Sequence, residues 1–140
     1  MLRLPEHAYL AMVGAALDGF PLEACGLIAG VGARVERFYP CRNTAASAKL
    51  YEIDGRDYLR ADRDADDHGL ALVGVMHSHT HTDAYPSPTD VDQAPDPEWH
   101  YVIVSLREAE PVLRSYRIVE GQISEEPVVV ERRPAGTIPD

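Results

Sequence analysis

Short strand-like apolar runs are interleaved along this chain with helical patterns, and that intermixing is what most limits the fold. Residues 25–31 (CGLIAGV), 33–39, 70–76 (LALVGVM), 100–105 (HYVIVS) and 112–119 (VLRSYRIV) are short runs that suit strands. Tyr9, Met12, Val13, Ala16, Leu17 and Phe20 instead recur at helical spacing. They predict a helix from about Pro5, with this stripe facing the core and Gly19 near its end. Asp54-Gly-Arg-Asp57 reads as an N-cap with an acidic N3 residue. It opens a second, highly charged helix to about His68, with Gly69 as its stop. Ser87-Pro-Thr-Asp90 reads as another helix start, Ser87 at the cap and Pro88 in the first turn, where proline is tolerated. Asn43 to Lys49 is small and polar and reads as a loop; Glu120-Gly121 turns the chain into a last strand containing Val128 to Val130. Intermixed strands and helices predict an α/β or α+β fold with a mixed sheet. The expected organisation is one unit over residues 1–131 and a polar, proline-bearing tail over 132–140.

Composition narrows the partners. A chain of 140 residues, 45% hydrophobic, can bury a core without disulfides. The net charge of −10 repels phosphate backbones and argues against nucleic acid. Cys25 and Cys41 form no C-x-x-C pair and read as reduced thiols. No apolar run approaches the roughly 18 residues of a membrane span. Glu6 and His7 interrupt the N-terminal stretch before a signal-peptide core can form, so a cytoplasmic protein is expected.

The 70–76 run ends directly at His77-Ser-His79. Side chains two apart on an extended segment point the same way, so two imidazoles at a strand end can meet one ion. Asp90 follows eleven residues later, and a loop of that length can return its carboxylate to the same place. Two His and one Asp are the three protein ligands that a catalytic zinc takes while keeping a position for water. Spacing alone leaves another reading open: an H-x-H without a metal, with Asp90 as N3 and Ser87 as cap of an ordinary helix. His68, His81 and His100 have no comparable constellation. No H-E-x-x-H is present, so a base for the water must come from elsewhere. Glu23, in Pro21-Leu-Glu23-Ala-Cys25-Gly26, is not singled out by spacing. The H-x-E and P-C-x-x-C of zinc deaminases and the G-x-S-x-G of serine hydrolases are absent. Cys25 lies in an apolar run, where a thiol is usually inert.

Glu23-Ala-Cys25-Gly26 and His77-Ser-His79-x7-Ser87-x2-Asp90 resemble the JAMM (MPN+) metallopeptidase family in residue type and spacing. The resemblance extends over about residues 5 to 130. It implies a curved mixed sheet flanked by helices, similar to the deaminase-like fold. It also implies one zinc on His77, His79 and Asp90, with Glu23 as general base and acid and Ser87 supporting the oxyanion. Thr80 stands where many members have proline, and the long insertions with which eukaryotic members grip polyubiquitin have little room here. HSHT, Asp83-Ala-Tyr-Pro-Ser87-Pro-Thr-Asp90-Val91, His100-Tyr-Val and Leu113-Arg-Ser-Tyr-Arg-Ile-Val119 are similar to a narrower actinobacterial group. That likeness implies a ubiquitin-like sulfur carrier as partner, ending in Gly-Gly and bearing cysteine, with cysteine released for biosynthesis. The alternatives are trimming of a sulfur carrier or other ubiquitin-like tail, and a non-catalytic partner-binding module of the same fold.

Overall fold

Strands β1 (Leu2–Pro5), β2 (Cys25–Val31), β3 (Arg34–Cys41), β4 (Ala71–His79), β5 (His100–Ser105), β6 (Val112–Val119), β7 (Gln122–Glu126) and β8 (Val128–Glu131) form a single mixed sheet. Helix α1 (Glu6–Gly19) follows β1, α2 (Gly55–Asp67) follows β3, and α3 (Pro88–Asp92) lies between β4 and β5. The computed structural model describes residues 1–132, so the tail expected from Arg132 onward lies, beyond that residue, outside the described part. None of these helices is long and apolar enough to cross a membrane.

The strand order is β7-β6-β5-β4-β2-β3-β1-β8. Pairs β1–β3, β1–β8 and β4–β5 are parallel and the others antiparallel. Strands β7 and β8 occupy opposite edges, yet only Pro127 separates them in sequence. One residue spans less than about 4 Å, so the sheet curls until its edges meet at Pro127. The Pro127 carbonyl accepts from Leu2 N there at 2.8 Å.

The alternation of side chains along the strands divides two layers. Ile28, Met76, Val102 and Val104 meet Ala8, Met12 and Ala16 of α1, with Leu2 and Leu4 of β1 in the same core. Cys25, Val75, Tyr101 and Ile118 face the other way, against Tyr51. On that face Tyr39 of β3, in register with Leu27, donates its hydroxyl to Asp64 of α2 at 2.5 Å. The helices thus cover opposite faces of a curved sheet. Gly74 in β4 has no room for a side chain, since a Cβ there would lie 2.3 Å from the His100 carbonyl oxygen.

The expected elements are present, but Leu17 and Phe20 of the stripe expected to face the core are exposed, the buried residues of α1 being Ala8, Met12 and Ala16, and the strands differ in three ways. Strand β1 was not anticipated, because four residues with one apolar alternation fall below the length at which periodicity is visible. Strand β4 runs through both histidines to His79, held by parallel pairing of His77 with Ile103 and His79 with Ser105. The last expected strand is two strands, divided at Pro127, which lacks an N–H to continue a ladder.

Candidate metal centre

Pairing of β2 with β4 places Cys25 opposite His77. Two residues back from Cys25 and two on from His77, the same antiparallel register brings Glu23 beside His79. The middle residue of His77-Ser-His79 ties these segments: Ser78 Oγ accepts from Ala24 N at 2.7 Å, and Ser78 N donates to the Ala24 carbonyl at 2.9 Å. Asp90 arrives from the first turn of α3. Ser87 caps that helix, its Oγ accepting from Asp90 N at 3.1 Å while Ser87 N donates to Asp90 Oδ2 at 2.8 Å. The capping box therefore aims the carboxylate, and the ordinary helix start and the ligand position are one arrangement.

His77, His79 and Asp90 are all buried. His77 Nε2 lies 3.2 Å from His79 Nε2, and these nitrogens lie 3.1 and 3.0 Å from Asp90 Oδ2. Bonds of 2.0–2.1 Å in a tetrahedral zinc complex set ligand atoms about 3.3 Å apart, so the triangle fits such an ion. His79 Nδ1 bonds to the Asp83 carbonyl at 2.7 Å, a contact in which only the ring nitrogen can donate. In neutral imidazole this leaves Nε2 a bare lone pair facing the Asp90 oxygen. The cluster requires positive charge: a second proton on His79, or a metal ion.

The electrostatics carry the same demand. Burial alone would raise the Asp90 carboxyl, but hydrogen bonds from His77 and His79 hold it far below the usual carboxylate range. Burial pulls His77 down, toward neutral imidazole. Burial opposes charge on His79 as well, but there the bonds to Asp90 and the Asp83 carbonyl prevail and raise it. Glu23 is 5% exposed, and its Oε1 has no hydrogen-bond partner. Burial pushes this carboxyl up to about 7, with His79 drawing it down and Asp90 up.

The matched family model, prokaryotic homologs of the JAB domain, covers residues 5–119. This chain belongs to the JAMM (JAB/MPN) family. It is a hydrolase of the JAMM type. The CysO-cysteine peptidase of Mycobacterium tuberculosis is 46% identical over 126 residues, 87% of this chain and 86% of that one. A solved structure of protein DSY2949 from Desulfitobacterium hafniense has a TM-score of 0.86 and 34% identity, covering 96% of each chain. A JAB1/MPN domain protein from Archaeoglobus fulgidus shares the fold at a TM-score of 0.62 and 18% identity, over 94% of this chain and 100% of that one.

His68 and His81 stand apart from this cluster. His81 is exposed beside Phe20, and His68 lies at the end of α2. Cys25 is buried and its thiol is pushed up to about 12, by burial first and then by Cys41, the opposite of the activation that a nucleophilic thiol needs. The sequence reading missed Tyr51, whose ring stacks on His77 with centroids 4.5 Å apart. It also missed Asn43, whose Nδ2 donates to the Glu23 carbonyl at 3.0 Å and the Leu50 carbonyl at 3.1 Å. An asparagine opening a small-residue loop was the available signal for the second; for Tyr51 there was none.

Proposed function

We propose that this JAMM hydrolase is a zinc-dependent peptidase. In this reading it cuts the amide bond between the terminal glycine of a ubiquitin-like sulfur carrier and an added cysteine. The observation that carries the reading is a buried triangle of ligand atoms, 3.0–3.2 Å on each side, next to a carboxylate oxygen with no partner. The 46% identity to a CysO-cysteine peptidase supports the substrate. Free thiols at Cys25 and Cys41 agree with a reducing, cytoplasmic setting.

One zinc ion would be held by His77, His79 and Asp90, and when bound it supplies a Lewis acid that acidifies water and polarises the carbonyl. Positive charge in the triad also favours the carboxylate form of Glu23. Glu23 then takes one proton from the attacking water as the new C–O bond forms. It returns that proton to the nitrogen as the C–N bond breaks, so that cysteine leaves as an amine rather than an amide anion. Ser87 spends one lone pair on Asp90 N; its hydroxyl hydrogen is directed to the carbonyl oxygen as negative charge grows there. A Gly-Gly tail, without side chains, suits a narrow approach to this site.

The test is mass spectrometry of a carrier bearing cysteine, before and after incubation, together with zinc analysis of the protein. Loss of one cysteine residue and about one zinc per chain are expected. Faster cleavage of di-ubiquitin than of the carrier adduct overturns the substrate, and full activity of metal-free protein in chelator overturns the zinc.

A further inference from the structure

The loop from Asn43 to Ile53, closed by a bridge between those residues, lies across the site. The Ser47 carbonyl accepts from Glu23 N at 2.8 Å, and the Ala48 carbonyl accepts from the Thr80 hydroxyl at 3.4 Å. Tyr51 covers His77. The middle of this strap is Lys49, whose N–H donates to Ser47 Oγ at 3.0 Å. At ~3.5 Å per residue, Lys49 is within about 7 Å of chain from the contact to Glu23 on one side and the ring on His77 on the other.

Lys49 is the single lysine of the sequence; every other cationic side chain that is permanently charged is an arginine. Its side chain is exposed, and it forms no ion pair among the described residues. Arg107, whose partner Asp83 also contacts His79, is already held by Asp83 at 2.8 Å. In a chain of net charge −10, an exposed cation without an ion pair on the strap that crosses the site is out of character. The general field repels carboxylates, and the strap offers one place that does not.

The cysteine-adduct reading, on which this inference rests, has a distinctive leaving group. Its nitrogen is one carbon from a free α-carboxylate, whereas a carrier joined to a protein lysine has none there. We propose that Lys49 is a specificity-determining residue that receives the α-carboxylate of the departing amino acid. An ammonium on a flexible four-carbon stem can follow that carboxylate from bound substrate to product. The site is then selective for a terminal residue rather than for an isopeptide bond.

The experiment uses one sulfur carrier ending in Gly-Gly-Cys, prepared with a free carboxylate and with a carboxamide. Both are assayed on the full-length protein, on Lys49→Met and on Lys49→Arg. The unaltered protein should favour the carboxylate by about tenfold in kcat/KM, the difference lying in KM. Lys49→Met should cut the two carriers alike, at the unaltered protein's rate on the carboxamide, and Lys49→Arg should regain most of the preference. A preference that survives in Lys49→Met, or equal cutting by the unaltered protein, overturns the role of Lys49 alone. A protein that cuts neither carrier but cuts carrier–lysine conjugates overturns the cysteine-adduct reading, and Lys49's role with it.

Discussion

His79 with Asp90, and His100 with Glu126, are both buried pairs of a strand histidine and a carboxylate, but their surroundings differ. Around Glu126 donors and acceptors match. His100 Nδ1 lies 2.6 Å from Glu126 Oε2, Ser115 Oγ donates to the same oxygen at 2.8 Å, and the Met1 amine is 3.6 Å from Oε1. Around Asp90 they do not. Two imidazole nitrogens and an oxygen converge at 3.0–3.2 Å, and Glu23 Oε1 beside them has no donor. A buried polar cluster that satisfies itself fastens the fold, and here it fastens β5, β6, β7 and the chain start near the seam of the sheet. A cluster short of positive charge and of donors is costly until something arrives to complete it. That deficit, rather than the presence of histidine, separates the proposed reactive centre from the structural one.

The sharpest way to break the comparison is His77→Ala. It should abolish metal binding and activity together while leaving a folded chain, as read by elemental analysis, turnover and circular dichroism. Retained activity without metal would place the centre elsewhere. Next is Glu23→Gln, which keeps size but cannot accept the proton. Turnover should fall by about 10²–10⁴-fold at unchanged zinc content, measured as single-turnover rate and metal on one sample. A near-normal rate would reduce Glu23 to a surface acid that happens to be covered.

Glu126→Ala tests the other cluster. Removing one partner of a buried pair should cost about 3 kcal/mol in urea unfolding, while zinc content per folded chain stays unchanged. Loss of zinc in this variant would mean that the clusters are coupled. The smallest expected effect is on acid stability. Burial pushes the Glu126 carboxyl up, but hydrogen bonds from His100 and Ser115 outweigh it and leave the group below its ordinary 4.5. The native state therefore binds this proton less readily than the unfolded chain. The stabilisation is complete above about pH 4.5 and is lost as pH falls through the native value. Glu126→Gln should flatten the stability profile in that window, and an unchanged profile would assign the acid sensitivity to other carboxylates.

The sequence disclosed the two centres unequally for the same physical reason. His77, His79, Ser87 and Asp90 sit on one strand end and the next helix cap, so local periodicity and capping chemistry place them. Glu23 is brought in by strand register across 54 residues of chain, and only family resemblance picked it out. His100, Ser115 and Glu126 read as unremarkable residues on separate strands, because pairing between β5, β6 and β7 is what joins them. Lengthening β4 through His79 and dividing the last strand at Pro127 likewise depended on neighbours that a linear reading does not see.

The seam at Pro127 has a consequence for how the chain assembles. Leu2 through Pro5 pair with Val128 through Glu131, from the two extremes of the described chain. Contacts so distant in sequence must overcome the largest loop-closure entropy and belong late on the folding route. During synthesis β1 emerges before β8 and waits for that partner until the strands between them have been made. In the mature protein this late-formed junction is where partial opening should begin, with hydrogen exchange at Leu2 preceding exchange at the inner strands β2 and β4.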